Sequence, residues 1–246
     1  MLKDVKVLSF THYLQGPSAA QTLADLGAEV VKVEPTNGAH ERRWSGCNAF
    51  PGGISMFFLL GNRNQNSLAI DLKSEAGKEV IKQLIQTYDV IIENFRPGVM
   101  DSLGLGYEEL TAINPRLIYC SCTGYGSSGP MADKPGQDLL IQGMSGLASL
   151  TGNRQDLPSA VGTAVVDQHG AILAALGVVS ALYDRARTGK GHRVEASLLG
   201  SALDLQLESL AYYLNGNREL PERSTSGLST RMHQSPYGIY ETADGH

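Results

Sequence analysis

A parallel α/β sheet is the fold this sequence predicts, and three observations predict it. Apolar, β-leaning runs alternate with amphipathic helical ones along most of the chain, the pattern that lays helices on the faces of a sheet. Between Val5–Phe10 (VKVLSF) and Ala28–Glu34 (AEVVKVE) there is room for one helix, so the pair reads as a βαβ unit with parallel strands. A Gly-, Ser- and Pro-rich loop, Gly124 to Gln137, follows the strand candidate Arg116–Thr123 and has the character of an active-site loop rather than a linker. With 246 residues, 42% of them hydrophobic and 18% charged, the chain can bury a sizeable core and is not disordered.

Each element has its own signal. Pro17 suits the first turn of the helix after Phe10, which continues through Ala20, Leu23 and Leu26 and stops at Gly27. The loop between, Thr11 to Pro17, lacks the G-x-G-x-x-G fingerprint, so Glu34 is a weak candidate for a nucleotide acid. Thr36 to Gly61 is irregular around a short apolar segment, Ile54 to Leu60. Leu68–Leu72 reads as a short strand, Ser74–Tyr88 as an amphipathic helix, and Asp89–Phe95 (DVIIENF) as a strand closed by Arg96-Pro97-Gly98. Tyr107–Ile113 and Asp138–Leu150 are expected to be helical. Arg193–Ser197 is extended, Ser201–Asn215 is an amphipathic helix, Pro221–Thr230 a polar crossover, and Tyr237–Tyr240 a strand entering a turn at Ala243-Asp244-Gly245.

Composition excludes several partners. A net charge of −5 without a basic cluster argues against nucleic acid and anionic membrane. No run reaches ~18 uninterrupted apolar residues, and the N-terminus lacks the apolar core of a signal peptide. Three cysteines, Cys47, Cys120 and Cys122, fit a reducing cytoplasm rather than a disulfide framework. Cys120 and Cys122 share a strand face, but no second Cys/His pair supports zinc, and no metal is expected.

The stretch Val161–Leu182 (VGTAVVDQHGAILAALGVVSAL) reads as a buried strand, a turn at Asp167-Gln168-His169-Gly170, and a core helix. An aspartate at such a junction is ordinarily an N-cap. At the carboxyl end of a strand it is also placed to meet a ligand, with the helix N-terminus behind it offering backbone N–H groups to a developing oxyanion. Neither a G-x-S-x-G elbow nor a P-loop is present to compete for the chemistry.

Seven segments carry a family resemblance: VKVLSFTHYLQGP, LGAEVVKVEP, NRNQNSLAIDLK, DVIIENFRPG, INPRLIYCSCTGYGSSGP, GQDLLIQGMSGLASLTG and GTAVVDQHGAILAALGVVSALYDRARTGKG. In this order they resemble the N-terminal part of the class III CoA-transferase family, which includes formyl-CoA and carnitine-CoA transferases and α-methylacyl-CoA racemases. The resemblance implies a Rossmann-like CoA-binding large domain over residues 1–200, a helix and crossover over 201–235, and the start of a smaller domain at 236–246. It further implies an interlocked homodimer and a longer chain whose C-terminal part, with the glycine-rich loop over the active site, lies beyond His246. The 246 residues alone are expected to be weakly active at best and prone to associate.

Carried over residue by residue, the resemblance makes Asp167 the nucleophile that takes an acyl group from an acyl-CoA thioester as a mixed anhydride and passes CoA to a small carboxylic acid. It places CoA near Leu14, Gln15, Ile70, Lys73, Asn94, Phe95, Arg96 and Asp138, with Arg42 and Lys134 as further candidates. Coenzyme A is then substrate, and no tightly bound cofactor is implied. Taken singly, Lys73 and Arg96 could be surface charges, Phe95 core, and Asp138 a helix cap. Asn64-Gln65-Asn66 stands where the family often carries a basic run, which weakens phosphate binding from that loop. Gln137 stands where the racemases place a catalytic His. An amide has no pKa suited to general base catalysis, and His169 is expected to point elsewhere, so transferase is preferred over racemase and over a non-catalytic CoA-binding chain.

Overall fold

The computed structural model describes residues 1–225, 230–234 and 236–245. Six strands form one sheet: β1 (Lys6–Phe10), β2 (Glu29–Glu34), β3 (Gln65–Ala69), β4 (Val90–Glu93), β5 (Ile118–Thr123) and β6 (His192–Ser197). Their order is β3-β2-β1-β4-β5-β6, and every neighbouring pair is parallel. The order therefore reverses between β1 and β4, which leaves a crevice outside their carboxyl ends.

Helices cover both faces, so the central strands alternate between two cores instead of between core and water. Val7, Val90, Ile92, Ile118, Cys120 and Cys122 face α1 (Gln15–Asp25) and the long α7 (Val165–Thr188). Leu8, Phe10, Ile91 and Tyr119 face α3 (Glu75–Ile85) and α5 (Tyr107–Ile113). Burial on both sides is why these strands read as nearly continuous apolar runs. Helix α3 starts where Ser74 Oγ accepts the Gly77 N–H at 3.0 Å. Helix α7 is long and apolar enough to cross a membrane by length and composition, but its small residues Ala171, Ala174, Ala175 and Val178 are buried against the sheet. At its far end Arg185 reaches Asp89 Oδ1 at 2.8 Å, while Asp89 Oδ2 accepts the Lys6 N–H at 2.8 Å.

Several sequence expectations shift. Val161–Val166 is not a strand. The edge of β5 beside it is taken by β6, and the segment is held instead by Gln142, which accepts the Val161 N–H and donates to the Thr163 carbonyl. The apolar segment at Ile54–Leu60 becomes α2 (Met56–Gly61), and β3 begins three residues before Leu68. The helix expected over Asp138–Leu150 divides into α6 (Asp138–Met144) and a 3₁₀ turn, Leu147–Ser149, at Gly146 with φ +85°. Ser201–Asn215 divides into α8 (Leu198–Asp204) and α9 (Leu207–Asn215); α4 (Val99–Ser102) follows the Arg96-Pro97-Gly98 turn. No strand forms over Tyr237–Tyr240, where Gly238 makes only an isolated bridge. The turn after it is present, with the Gly245 N–H on the Thr242 carbonyl at 2.9 Å. Of the expected crossover, residues 226–229 lie outside the described residues.

The two-sided packing makes the central strands intolerant of cavities. Ile92 on β4 is 0% exposed. Replacing it with Ala is expected to cost about 2–5 kcal/mol in denaturant unfolding; a loss below about 1 kcal/mol would contradict this account of the core.

Candidate active site

Three loops leave the carboxyl ends of β1, β4 and β5 and meet the N-terminus of α7. The β1 loop is fixed to β4 by Asn94, whose Oδ1 accepts the His12 N–H and whose Nδ2 donates to the His12 carbonyl, both at 2.8 Å. Tyr13 in that loop has φ +60°, a left-handed conformation costly for a non-glycine residue. Buried Glu41 holds it there by accepting the Tyr13 N–H at 2.6 Å. The β5 loop closes on itself because Gly124 and Gly136 touch backbone to backbone: a Cβ on Gly136 would fall 2.5 Å from Gly124 Cα. That contact sets the positions of Lys134, Gln137 and Asp138.

Asp138 opens α6, yet its carboxylate serves α7. Oδ2 accepts the N–H groups of Val166 and Asp167 at 2.8 and 2.9 Å, and Oδ1 accepts the Gln142 amide at 2.5 Å. The other N–H groups of the first turn are also occupied, Val165 by the Thr163 carbonyl and Gln168 by the Ala164 carbonyl. The expectation that this helix N-terminus offers donors to an oxyanion therefore fails. The expected capping role of Asp138 holds in a different form, for a partner helix. Asp167 is not the N-cap either, since Ala164 occupies that position and Asp167 follows inside the first turn.

Asp167 is half-buried, and its carboxylate has no hydrogen-bond partner among the described residues. Burial, and then the neighbouring Asp138 charge, push its pKa up to about 7. It lines a cavity of about 490 Å³ together with Leu14, Gln15, Asn94, Phe95, Arg96, Lys134, Gln137 and Asp138. A second cavity, of about 780 Å³, is lined by Ile70 and Lys73 and shares His12, Tyr13 and Phe95 with the first. The two form one groove across the carboxyl edge of the sheet, with Asp167 near one end and Lys73 near the other.

One candidate falls outside it. Arg42 lines neither cavity, because its guanidinium is clamped on Glu34, Nε to Oε2 at 2.7 Å and Nη2 to Oε1 at 2.6 Å, above the Phe58 ring. Burial would raise the Glu34 pKa, but Arg42, Ser67 and the Ala39 N–H outweigh it and hold the carboxyl at about 2. Glu34 is thus a structural ion-pair partner rather than a nucleotide acid. His169 turns away to Asp204, at 2.6 Å. Sequence reasoning overlooked Glu41 and Gln142, buried polar residues whose partners lie 28 and 19 residues away; nothing local in the chain marks them.

Removing the Asp138 charge as Asp138→Asn is expected to lower the Asp167 pKa, by less than burial raises it, and to cost about 1–2 kcal/mol for the lost cap. Thermal unfolding as a function of pH reads both, and an unchanged profile would separate the two carboxylates.

Comparison with known proteins follows the same outline. The model of CoA-transferase family III matches residues 2–246. The chain is 38% identical to succinyl-CoA:glutarate CoA-transferase of Mus musculus over all of its own length and 55% of that protein's. It is 36% identical to acetyl-CoA:oxalate CoA-transferase of Acetobacter aceti, over 97% of this chain and 60% of that one. A crystal structure of a CAIB/BAIF family protein from Brucella suis superimposes with a TM-score of 0.88 at 37% identity, covering 99% of this chain and 64% of the other. The chain thus spans little more than half the length of these curated relatives, and within that span it belongs to CoA-transferase family III.

Proposed function

We propose that the complete protein is an acyl-CoA:carboxylate CoA-transferase with Asp167 as its nucleophile. The observation that carries this is the Asp167 carboxylate itself, half-buried, unpartnered and facing the groove. Its oxygen attacks the thioester carbonyl carbon, the C–S bond breaks, and CoA leaves as thiolate, giving an aspartyl mixed anhydride. No proton has to move. The thiolate then attacks the aspartyl carbonyl, releasing the first acid and leaving CoA as a thioester on Asp167. An incoming carboxylate repeats the sequence in reverse. Lys73 and Arg96 line these cavities, which supports a role for them at the phosphates and for the strand-end loops at the pantetheine arm. The named relatives support small acids such as oxalate, glutarate or succinate as partners. Exposed apolar side chains on α7 and α9, among them Ile172, Leu176, Leu207 and Leu214, support a homodimer.

A racemase needs two bases at the α-carbon. Gln137 supplies none, and Asp138 has its carboxylate occupied by α7 and Gln142. A chain that only bound CoA would have no use for the unpartnered carboxylate.

Two outcomes test the reading in the complete protein. Asp167→Asn should reduce transfer by several orders of magnitude, and hydroxylamine quenching of wild type with acyl-CoA should leave a hydroxamate at Asp167 and none in the variant. A fully active Asn variant ends the proposal. The raised pKa also has a sign. Only ionised Asp167 attacks, so kcat/KM should climb as pH rises through about 7. The folded state holds the proton more tightly than the unfolded chain, so Asp167 lowers wild-type stability as pH rises from about 4 to about 7. The melting temperature of Asp167→Asn should therefore exceed that of wild type at pH 8 and approach it near pH 4; a pH-independent difference would refute the shift.

A further inference from the structure

Attack on a thioester drives negative charge onto the acyl oxygen, and that charge needs a donor in place. The obvious donors are excluded here. All four N–H groups at the start of α7 are already bonded, two to Asp138, one to the Thr163 carbonyl and one to the Ala164 carbonyl.

Gln15 is the first residue of α1, at the crevice where the strand order reverses. It is 4% exposed, yet its amide Nε2 has no acceptor among the described residues. A buried amide without a partner is desolvated for no return unless something arrives to meet it. Gln15 lines the same cavity as Asp167. It rests on Gly170, one turn along α7 from Asp167, where an added Cβ would fall 2.7 Å from Nε2. The missing side chain at Gly170 is what lets the amide pack against α7 one turn from the nucleophile. A half-turn about the last side-chain torsion exchanges the two ends of the amide, so its N–H pair can swing from Gly170 toward the cavity.

We infer that the Gln15 carboxamide donates a hydrogen bond to the acyl oxygen while the acyl group passes between CoA and Asp167. The inference rests on Asp167 being the nucleophile. As the Asp167 oxygen bonds to the carbonyl carbon, the π electrons move onto the acyl oxygen, which Gln15 meets. They return when the C–S bond breaks and the thiolate departs. Gln15 donates without giving up its proton, so atoms and charge balance with no further reactant.

The test is Gln15→Met in the complete protein, which keeps length and bulk but removes the donor. At saturating acyl-CoA, single-turnover formation of the hydroxylamine-trapped Asp167 adduct should slow about 100-fold or more, with melting temperature little changed. A wild-type rate of adduct formation in Gln15→Met overturns the inference and leaves the nucleophile standing. Absence of adduct in wild type overturns both. Should Gln15→Met fail to fold, Gly170→Ala, whose methyl displaces the amide, is expected to slow adduct formation at unchanged CoA affinity. An unaffected rate there overturns the role equally. The carbonyl stretch of a 13C-labelled acyl group on Asp167, higher in Gln15→Met than in wild type, separates a hydrogen bond from mere packing; an identical frequency speaks against the donor.

Discussion

The contact on which the site depends is the Asp138 carboxylate across the first turn of α7. One oxygen takes the N–H groups of Val166 and Asp167, and the other takes the Gln142 amide. It thereby fixes where α7 begins, how its axis meets the carboxyl edge of the sheet, and where the Asp167 side chain emerges. It also divides the labour between two neighbouring carboxylates. Asp138 has its charge matched by three donors. Asp167, half-buried and without a hydrogen-bond partner among the described residues, has its pKa pushed up to about 7 by burial first and by the Asp138 charge second.

Around that contact the groove is held by backbone restraints rather than by packing alone. The reciprocal Asn94–His12 pair joins the loop after β1 to the end of β4. Glu41 restrains Tyr13 in its left-handed conformation, a local strain that persists only because its surroundings fix it. Each restraint joins segments distant in sequence, and each lies at the topological reversal between β1 and β4. The sheet order, more than any single loop, brings Asp167 and Lys73 to one groove.

That geography explains what could be read from the chain. The central strands β1, β4 and β5 were legible because helices on both faces favour apolar side chains along most of their length. Leu14, Gln15 and Asn94 to Arg96 were legible because they closely follow β1 and β4, where the fold gathers ligands, whereas Asp167 follows no strand and was marked by the resemblance. Val161–Val166 misled because β-branched composition describes a preference, while a strand also needs a partner, and β6 from later in the chain takes the place beside β5. Arg42 was illegible for a related reason. Nothing local shows that Arg42 and Ser67, 8 and 33 residues from Glu34, assemble on its buried carboxylate. Asp138 could be read as a cap, but not for which helix, since its partners lie 28 and 29 residues on.

The displaced pKa of Asp167 also bears on why a carboxylate can exchange an acyl group with a thiol. An ordinary aspartate, near 3.8, is a far weaker base than a thiolate, whose conjugate acid titrates near about 8.5. A mixed anhydride on such a group would lie well uphill of the thioester and revert. Raising Asp167 to about 7 narrows that gap, and each unit is about 1.4 kcal/mol of difference between the protonation states. Under the proposed mechanism, the burial and the Asp138 charge that destabilise the ionised carboxylate also strengthen it as a nucleophile and weaken it as a leaving group. The electrostatic cost at the start of α7 and the reversibility of acyl exchange then have one origin, which is why Asp138 belongs beside Asp167.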